Sequence, residues 1–173
     1  MTTRFLATIL ALALGATTSA AAATTATATL VGAGGEDHGA VTLTQGPRGV
    51  LVRIEAKGLT PGWHAVHFHA TGTCAAPDFK SAGGHVHMGA TSTHGLLNPA
   101  GDEAGDLPNL FAGQDGAGSA EFFSTTVALT PGGSQPALLD ADGSAVVIHA
   151  SPDDFVSQPI GGAGARVACG VIH

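Results

Sequence analysis

Short runs of β-branched and apolar residues, separated by glycine and proline, are the feature that most constrains how this chain can fold. Glycine supplies 26 of the 173 residues, and Pro-Gly, Gly-Gly and Asp-Gly pairs interrupt the sequence. In one run Val50, Val52 and Ile54 alternate with Arg53 and Glu55, which is the period-two pattern of a strand with one buried face. Helical patterns of ten or more residues are missing between the runs, which argues against a parallel α/β fold.

Seven or eight such runs predict an all-β domain, either an antiparallel sandwich or a barrel. Two segments fit no strand pattern, residues 70–118 and 150–165, and they carry most of the remaining His, Asp and Glu. Long loops in a compact domain usually have a function. We therefore expect two long functional loops.

The first 22 residues are predicted to be a secretory signal peptide. A charged start with Arg4 precedes the apolar run FLATILALAL, and small residues follow it, as in signal peptides. The run is too short to span a bilayer, which needs about 20 apolar residues. We expect cleavage between Ala20 and Ala23, a periplasmic or secreted protein without a membrane partner, and one domain over residues 23–173.

The charge balance argues against nucleic acid as a partner. The chain has 6 Lys and Arg against 13 Asp and Glu, a formal net charge of −7, whereas phosphate contacts require basic patches. An anionic substrate would need a local positive group against this overall negative field.

The cysteines and histidines are the residues with most chemistry to offer. An even count of two cysteines, Cys74 and Cys169, favours a disulfide in an exported chain, with free thiols as the alternative. Six of the nine histidines lie between positions 64 and 94. His67 and His69 project from one face if they lie in a strand, and imidazole is a ligand for copper and zinc. Spacing alone leaves this pair either a metal site or a polar strand face.

The chain resembles the exported bacterial copper/zinc superoxide dismutases over nearly all of residues 23–173. The resemblance rests on a series of motifs in the family's order and on the placement of the cysteine pair: GLTPGWHAVHFH, GGH, HG, GDLPNL, VVIHASPDD and GGAGARVACGVI. It implies a Greek-key antiparallel β-barrel or sandwich of about eight strands. It also implies dismutation of superoxide to oxygen and hydrogen peroxide by a redox-cycling copper with a histidine bridge to zinc.

The resemblance implies one copper and one zinc per subunit, with a ligand set for each. The implied copper ligands are His67, His69, His85 and His149. The implied zinc ligands include His85, His94 and Asp106, so that the ring of His85 bridges the two metals. His64 faces away from the pair and resembles the family's structural histidine, which ties loops together.

Four further residues match positions of known importance in the family. Arg166 would attract and position superoxide, and His85 would deliver a proton. These two residues are the implied catalytic residues. Asp153 would link a copper histidine to a zinc histidine. Cys74 and Cys169 match the family's disulfide.

One position departs from the family pattern. Glu103 stands in GDEAGDLPNL where the family usually has a zinc-binding histidine. A carboxylate can ligate zinc at nearly the same distance as a histidine nitrogen. We therefore predict that Glu103 completes the zinc set, with His87 in that role or an empty site as the alternatives.

Two other functions compete with the enzyme. A non-enzymatic exported copper-binding protein of the same fold is disfavoured by Arg166, because a copper store needs no guide for an anion. A cupredoxin-like electron carrier would need a free cysteine ligand, and both cysteines look committed to a disulfide. The resemblance leaves a monomer and a homodimer both open.

Overall fold

A computed structural model describes residues 24–89 and 92–173 of the chain. The predicted signal peptide, residues 1–22, lies outside the described residues. None of the helical segments in the described ranges has the length and apolar character needed to cross a membrane.

The described residues form one antiparallel sheet of nine strands. The strands are β1 (Thr25–Gly32), β2 (Asp37–Gly46), β3 (Gly49–Ala56), β4 (Gly62–His64), β5 (Val66–His69), β6 (Leu110–Ala112), β7 (Gly118–Ser124), β8 (Ala145–His149) and β9 (Arg166–Val171). Their order in the sheet is β4-β6-β7-β3-β2-β1-β9-β8-β5. The two edge strands are consecutive in sequence and separated only by Ala65, so the sheet nearly closes into a barrel. The predicted all-β fold is confirmed.

Two details differ from the sequence-based prediction. The structure has nine strands, whereas about eight were expected. The extra strand arises because the backbone of Ala65 pairs with Ser151 and His149. This pairing divides the run GWHAVHFH into two strands. The first predicted loop was too long, since Leu110–Ala112 pairs with β4 as a short strand. Hereafter the first loop is residues 70–89 and 92–109, and the second loop is residues 150–165.

The core follows the alternation read from the sequence. On β3 the side chains of Val50, Val52 and Ile54 are fully buried while Arg53 and Glu55 are exposed. Burying one face of each strand in this way is the main source of the free energy of folding.

Strands β5 and β8 are buried on both faces, which is what prepares them to hold a site. Phe68 and Ile148 point into the barrel core. On the outer face Val147 and Cys169 pack against Phe79 of the first loop. The loops therefore cover the outer face of these two strands, from which His67, His69 and His149 also project.

The disulfide between Cys74 and Cys169 is confirmed. Their Cα atoms lie 5.7 Å apart and the residues are separated by 95 positions. Cys169 is fully buried in β9. The bond therefore fastens the first loop to the wall of the barrel.

Replacing Cys74 by serine should lower the free energy of unfolding by about 4–5 kcal/mol, because the bond closes a long loop in the unfolded chain. Denaturant unfolding of Cys74→Ser and of the parent, each with and without reductant, measures this. Reductant should destabilise the parent to the level of the variant. Equal stability of parent and variant under oxidising conditions would contradict the expectation.

Candidate metal centre

Four imidazoles meet on the outer face of β5 and β8, and we call them the imidazole cluster: His67, His69, His85 and His149. Their donor nitrogens all lie within 4.8 Å of one another. The ring centroids of His67 and His85 are 4.0 Å apart, and those of His67 and His149 are 4.9 Å apart. All four residues are buried.

The first loop reaches this face by pairing with β5. Val86 donates its N–H to Phe68 O, and Phe68 donates its own to Gly105 O, both at 2.9 Å. Isolated bridges place His85 beside His69 and Asp106 beside His67. Position 105 accepts only glycine, since a Cβ there would overlap the carbonyl oxygen of Phe68. Backbone pairing with a rigid strand therefore brings two loop side chains, those of His85 and Asp106, to the site.

Each imidazole of the cluster has one ring nitrogen committed to an oxygen. His69 Nδ1 donates to Gly83 O at 2.9 Å, His149 Nδ1 donates to Gly164 O at 3.3 Å, and His67 Nε2 donates to Asp153 Oδ2 at 2.9 Å. Such outer hydrogen bonds fix the tautomer and turn the other nitrogen towards a metal.

The second nitrogen of each ring has no protein partner. Among the described residues, the buried side-chain nitrogens and oxygens without a hydrogen bond are four ring nitrogens: His67 Nδ1, His69 Nε2, His85 Nε2 and His149 Nε2. Buried polar atoms are normally satisfied. Four such nitrogens gathered in one place fit a metal that accepts imidazole ligands, and copper is such a metal.

Electrostatics keep three of these rings neutral and ready to ligate, because burial lowers the pKa values of His67, His69 and His149. Burial lowers the pKa of His69 to about 2 and that of His149 to about 3. The positive charge of Arg166 contributes to both shifts. Since a protonated nitrogen cannot bind a metal, the low pKa values favour ligation at neutral pH.

A second group of donors, the mixed cluster, lies on the far side of the His85 ring: His85 Nδ1, His94 Nδ1, Glu103 Oε2 and Asp106 Oδ1. Each of the two nitrogens lies 2.6–3.1 Å from both carboxylate oxygens. In a tetrahedral zinc site with bonds of about 2.0 Å the ligand atoms are about 3.3 Å apart. These four nitrogen–oxygen separations are therefore slightly shorter than the edge of such a tetrahedron, as expected of hydrogen-bonded donors that a metal could draw together.

His67 also lies within 4.8 Å of donors of the mixed cluster. Its Nε2, however, is bonded to Asp153, and its other nitrogen belongs to the imidazole cluster. The shared member is thus His85, with Nδ1 towards the carboxylates and Nε2 towards the other imidazoles.

Without metal, protons balance the charge of the mixed cluster. Burial opposes protonation of His85, but the carboxylates of Asp106 and Glu103 raise its pKa to about 9. Burial likewise opposes ionisation of Glu103, but the hydrogen bond from His85 and the charge of that ring lower the pKa of the carboxyl to about 2. A cation is therefore favoured here, as expected of a zinc site with two carboxylates.

Asp153 joins the two clusters. Its Oδ2 accepts from His67 Nε2 at 2.9 Å and its Oδ1 accepts from His94 Nε2 at 3.0 Å. These hydrogen bonds outweigh burial and lower the pKa of Asp153 to about 2. Gly161 must lack a side chain, since a Cβ there would overlap Asp153 Oδ1.

Arg166 stands at the edge of the imidazole cluster. Its Nη1 donates to Phe79 O and its Nη2 to Gly83 O, both at 2.6 Å. Gly83 O also accepts from His69. The guanidinium is therefore fixed beside one ring of the cluster.

The remaining histidines lie outside both clusters. His64 is buried and donates from Nδ1 to His149 O at 2.6 Å. His87 and His173 are exposed, and His38 is half-buried, with its Nδ1 donating to Lys57 O. Sequence reasoning missed Asn109 and Gln158, which contact the backbone of Asp153 and His94; nothing in their spacing marks them.

The metal-free protein should be most stable near pH 6.5. Below this pH three rings of the imidazole cluster stay neutral in the folded chain but take up protons in the unfolded chain, so stability is lost as the pH falls. The lowered carboxyl pKa values of Glu103 and Asp153 give stability that is present above pH 4.5 and lost as the pH falls towards 2. The raised pKa of His85 gives stability that is present below pH 6.5 and lost as the pH rises through about 9.

Thermal melting of the chelator-treated protein from pH 3 to pH 10 measures this. Glu103→Gln should reduce the loss of stability on both sides of the maximum, because it removes one of the two carboxylate charges that His85 faces. A melting temperature that is the same at pH 3, 6 and 9 would contradict the interpretation.

Comparison with known proteins gives a consistent picture. The family model described as copper/zinc superoxide dismutase matches residues 37–172. The superoxide dismutase [Cu-Zn] of Caulobacter vibrioides is 65% identical over 138 residues, 80% of this chain and 79% of that protein.

Solved structures extend the likeness to the fold. A superoxide dismutase-like protein from Bacillus subtilis has 37% identity and a TM-score of 0.78, over 84% of this chain and 96% of that one. The Cu/Zn superoxide dismutase of Brucella abortus has 30% identity and a TM-score of 0.69, over 87% and 100% of the two chains.

Proposed function

This chain belongs to the copper/zinc superoxide dismutase family, and we propose that its imidazole cluster holds the copper at which superoxide is dismuted. The observation that carries this assignment is the convergence of four buried ring nitrogens that lack any protein partner. Three of the four rings come from strands β5 and β8, so the barrel itself supplies most of the site.

The mixed cluster is proposed to hold zinc through His85, His94, Glu103 and Asp106. Glu103 Oε2 lies 2.6 Å from His85 Nδ1 and 3.0 Å from His94 Nδ1, where a fourth ligand is needed. The ring of His87 is exposed and outside both clusters, which supports the carboxylate as the fourth ligand. The enzyme would then have one copper and one zinc per chain.

Bound copper supplies one-electron oxidation and reduction, and bound zinc supplies a fixed positive charge. The reaction takes two superoxide anions and two protons to one oxygen and one hydrogen peroxide. His85 is placed to carry a proton, because Nδ1 is held by the mixed cluster while Nε2 faces the imidazole cluster and has no other partner. Asp153 keeps His67 in the tautomer that leaves Nδ1 free.

Arg166 is proposed to attract and orient the anion. The chain has a formal net charge of −7, which repels superoxide, so a local positive group is needed near the copper ligands. Two carbonyl oxygens fix the guanidinium in place, and the group stays charged at any working pH.

We place the mature protein in the periplasm or outside the cell. The Cys74–Cys169 disulfide supports an oxidising compartment. Superoxide is the expected substrate, and the acidic composition gives no support for nucleic acid as a partner.

Superoxide consumption and copper content of His149→Ala test the copper assignment. The variant should lose most of its copper and all of its activity, because one of four ligands is gone. His173→Ala is the matched control, since it removes an exposed histidine far from both clusters and should behave as the parent. Full copper occupancy with unchanged turnover in His149→Ala would end the assignment.

Arg166→Ala should keep its copper but react with superoxide about tenfold more slowly or worse, and with a weaker dependence on ionic strength. Rate constants measured over a range of salt concentrations show both effects. Arg166→Lys should recover part of the rate, whereas the control Arg48→Ala, which removes an exposed cation between β2 and β3, should have little effect. An Arg166→Ala variant with the parent's rate would place the attraction elsewhere.

Zinc stoichiometry of Glu103→Ala and His87→Ala decides the fourth zinc ligand. We expect zinc to be weakened or lost in Glu103→Ala and retained in His87→Ala. Zinc bound by the parent should also dissociate on acidification, because two carboxylates must stay ionised to hold it. The reverse pattern, with zinc lost only in His87→Ala, would overturn the assignment.

A further inference from the structure

We infer that Gln158 and Asn109 are positioning residues for the zinc site, each holding one residue of the other loop by two hydrogen bonds from its side-chain carboxamide. Gln158 holds the backbone of His94, and Asn109 holds the backbone of Asp153. The inference rests on the proposed zinc set, to which His94 belongs.

Gln158 pairs with both backbone groups of His94. Its Oε1 accepts from His94 N–H at 3.0 Å, and its Nε2 donates to His94 O at 2.7 Å. The two residues are 64 positions apart, so the contact spans the two loops. Asn98 donates a second hydrogen bond to the same carbonyl at 3.1 Å. Among the described residues, Gln158 is the only hydrogen-bond partner of the His94 N–H.

Asn109 makes the same kind of contact in the opposite direction. Its Oδ1 accepts from Asp153 N–H and its Nδ2 donates to Asp153 O, both at 2.9 Å. Here the carboxamide belongs to the first loop and the residue it holds belongs to the second. Asp153 Oδ1 in turn accepts from His94 Nε2 at 3.0 Å, so the two contacts and this hydrogen bond form a continuous series from Asn109 to Gln158.

This series of contacts matters because no backbone pairing holds these two residues. Within the described ranges, neither His94 nor Asp153 makes a backbone–backbone hydrogen bond. The other loop ligands differ: His85, Glu103 and Asp106 each belong to a backbone bridge. His94 is fully buried and Asp153 is 3% exposed, so water cannot readily replace a lost carboxamide.

The two positions should therefore have different effects. Loss of the Gln158 side chain leaves a buried N–H unpaired and frees the zinc ligand His94, while the copper ligands on β5 and β8 stay in place. Loss of the Asn109 side chain frees Asp153, which contacts both His94 and the copper ligand His67. Gln158 should thus affect zinc alone, and Asn109 both metals.

Chelator competition for zinc and copper, applied separately to the parent and each variant, tests this. Gln158→Met keeps the bulk of the side chain but cannot make the two hydrogen bonds. It therefore tests the role of these hydrogen bonds in zinc binding even if Gln158→Ala fails to fold. We expect Gln158→Met and Gln158→Ala to bind zinc about tenfold more weakly or worse, as is usual when a partner of a metal ligand is lost. Their affinity for copper should equal that of the parent. Gln135→Ala is the matched control, because Gln135 makes one 3.3 Å hydrogen bond to Thr125 O and none to a residue of either cluster.

Cobalt in the zinc site adds a readout that a general loss of stability would not change. Tetrahedral Co(II) has visible absorption bands that depend on ligand geometry, and these should shift in Gln158→Met but not in Gln135→Ala. Parent-like zinc affinity and Co(II) bands in Gln158→Met, or equal weakening in the control, would overturn the inference. A parent chain that binds no zinc at all would instead overturn the proposed zinc site.

Discussion

The centre depends on one arrangement, in which each buried imidazole gives one ring nitrogen to a fixed oxygen and turns the other towards its neighbours. Carbonyl oxygens do this for His69 and His149, and carboxylates do it for His67 and His85. The hydrogen bonds orient the rings and aim the four other ring nitrogens at one place. Burying nitrogens without a partner is unfavourable on its own, so the barrel must hold a geometry that a bound metal would satisfy.

The two halves of the centre are held by different means. The imidazole cluster is built mainly on β5 and β8, whose inner faces pack into the barrel core. The mixed cluster is built from the first loop, which is fastened by pairing with β5, by the Cys74–Cys169 bond and by Asp153. The proposed copper site therefore rests on the barrel, and the proposed zinc site depends on loop contacts.

Local patterns in the sequence predicted much of the fold, but contacts between distant residues did not follow from them. The alternation in β3 was correct because its period of two reflects burial of one face. The placement of His67 and His69 on one strand follows from the same period. Convergence of His85, His94 and Asp106 on them depends on the path of the first loop, so it came only from the resemblance to a family. The contacts of Asn109 and Gln158 left no pattern to detect, since carboxamides are common in loops.

The sharing of His85 between two metals is the central claim, and electron paramagnetic resonance tests it most directly. The imidazole cluster is loaded with Cu(II), and the mixed cluster with Co(II) or, as the control, with Zn(II). A deprotonated imidazole bound at both nitrogens couples two paramagnetic ions, so we predict that the Cu(II) signal is lost with Co(II) and present with Zn(II). A full Cu(II) signal in the copper–cobalt protein would show that His85 does not join the two sites.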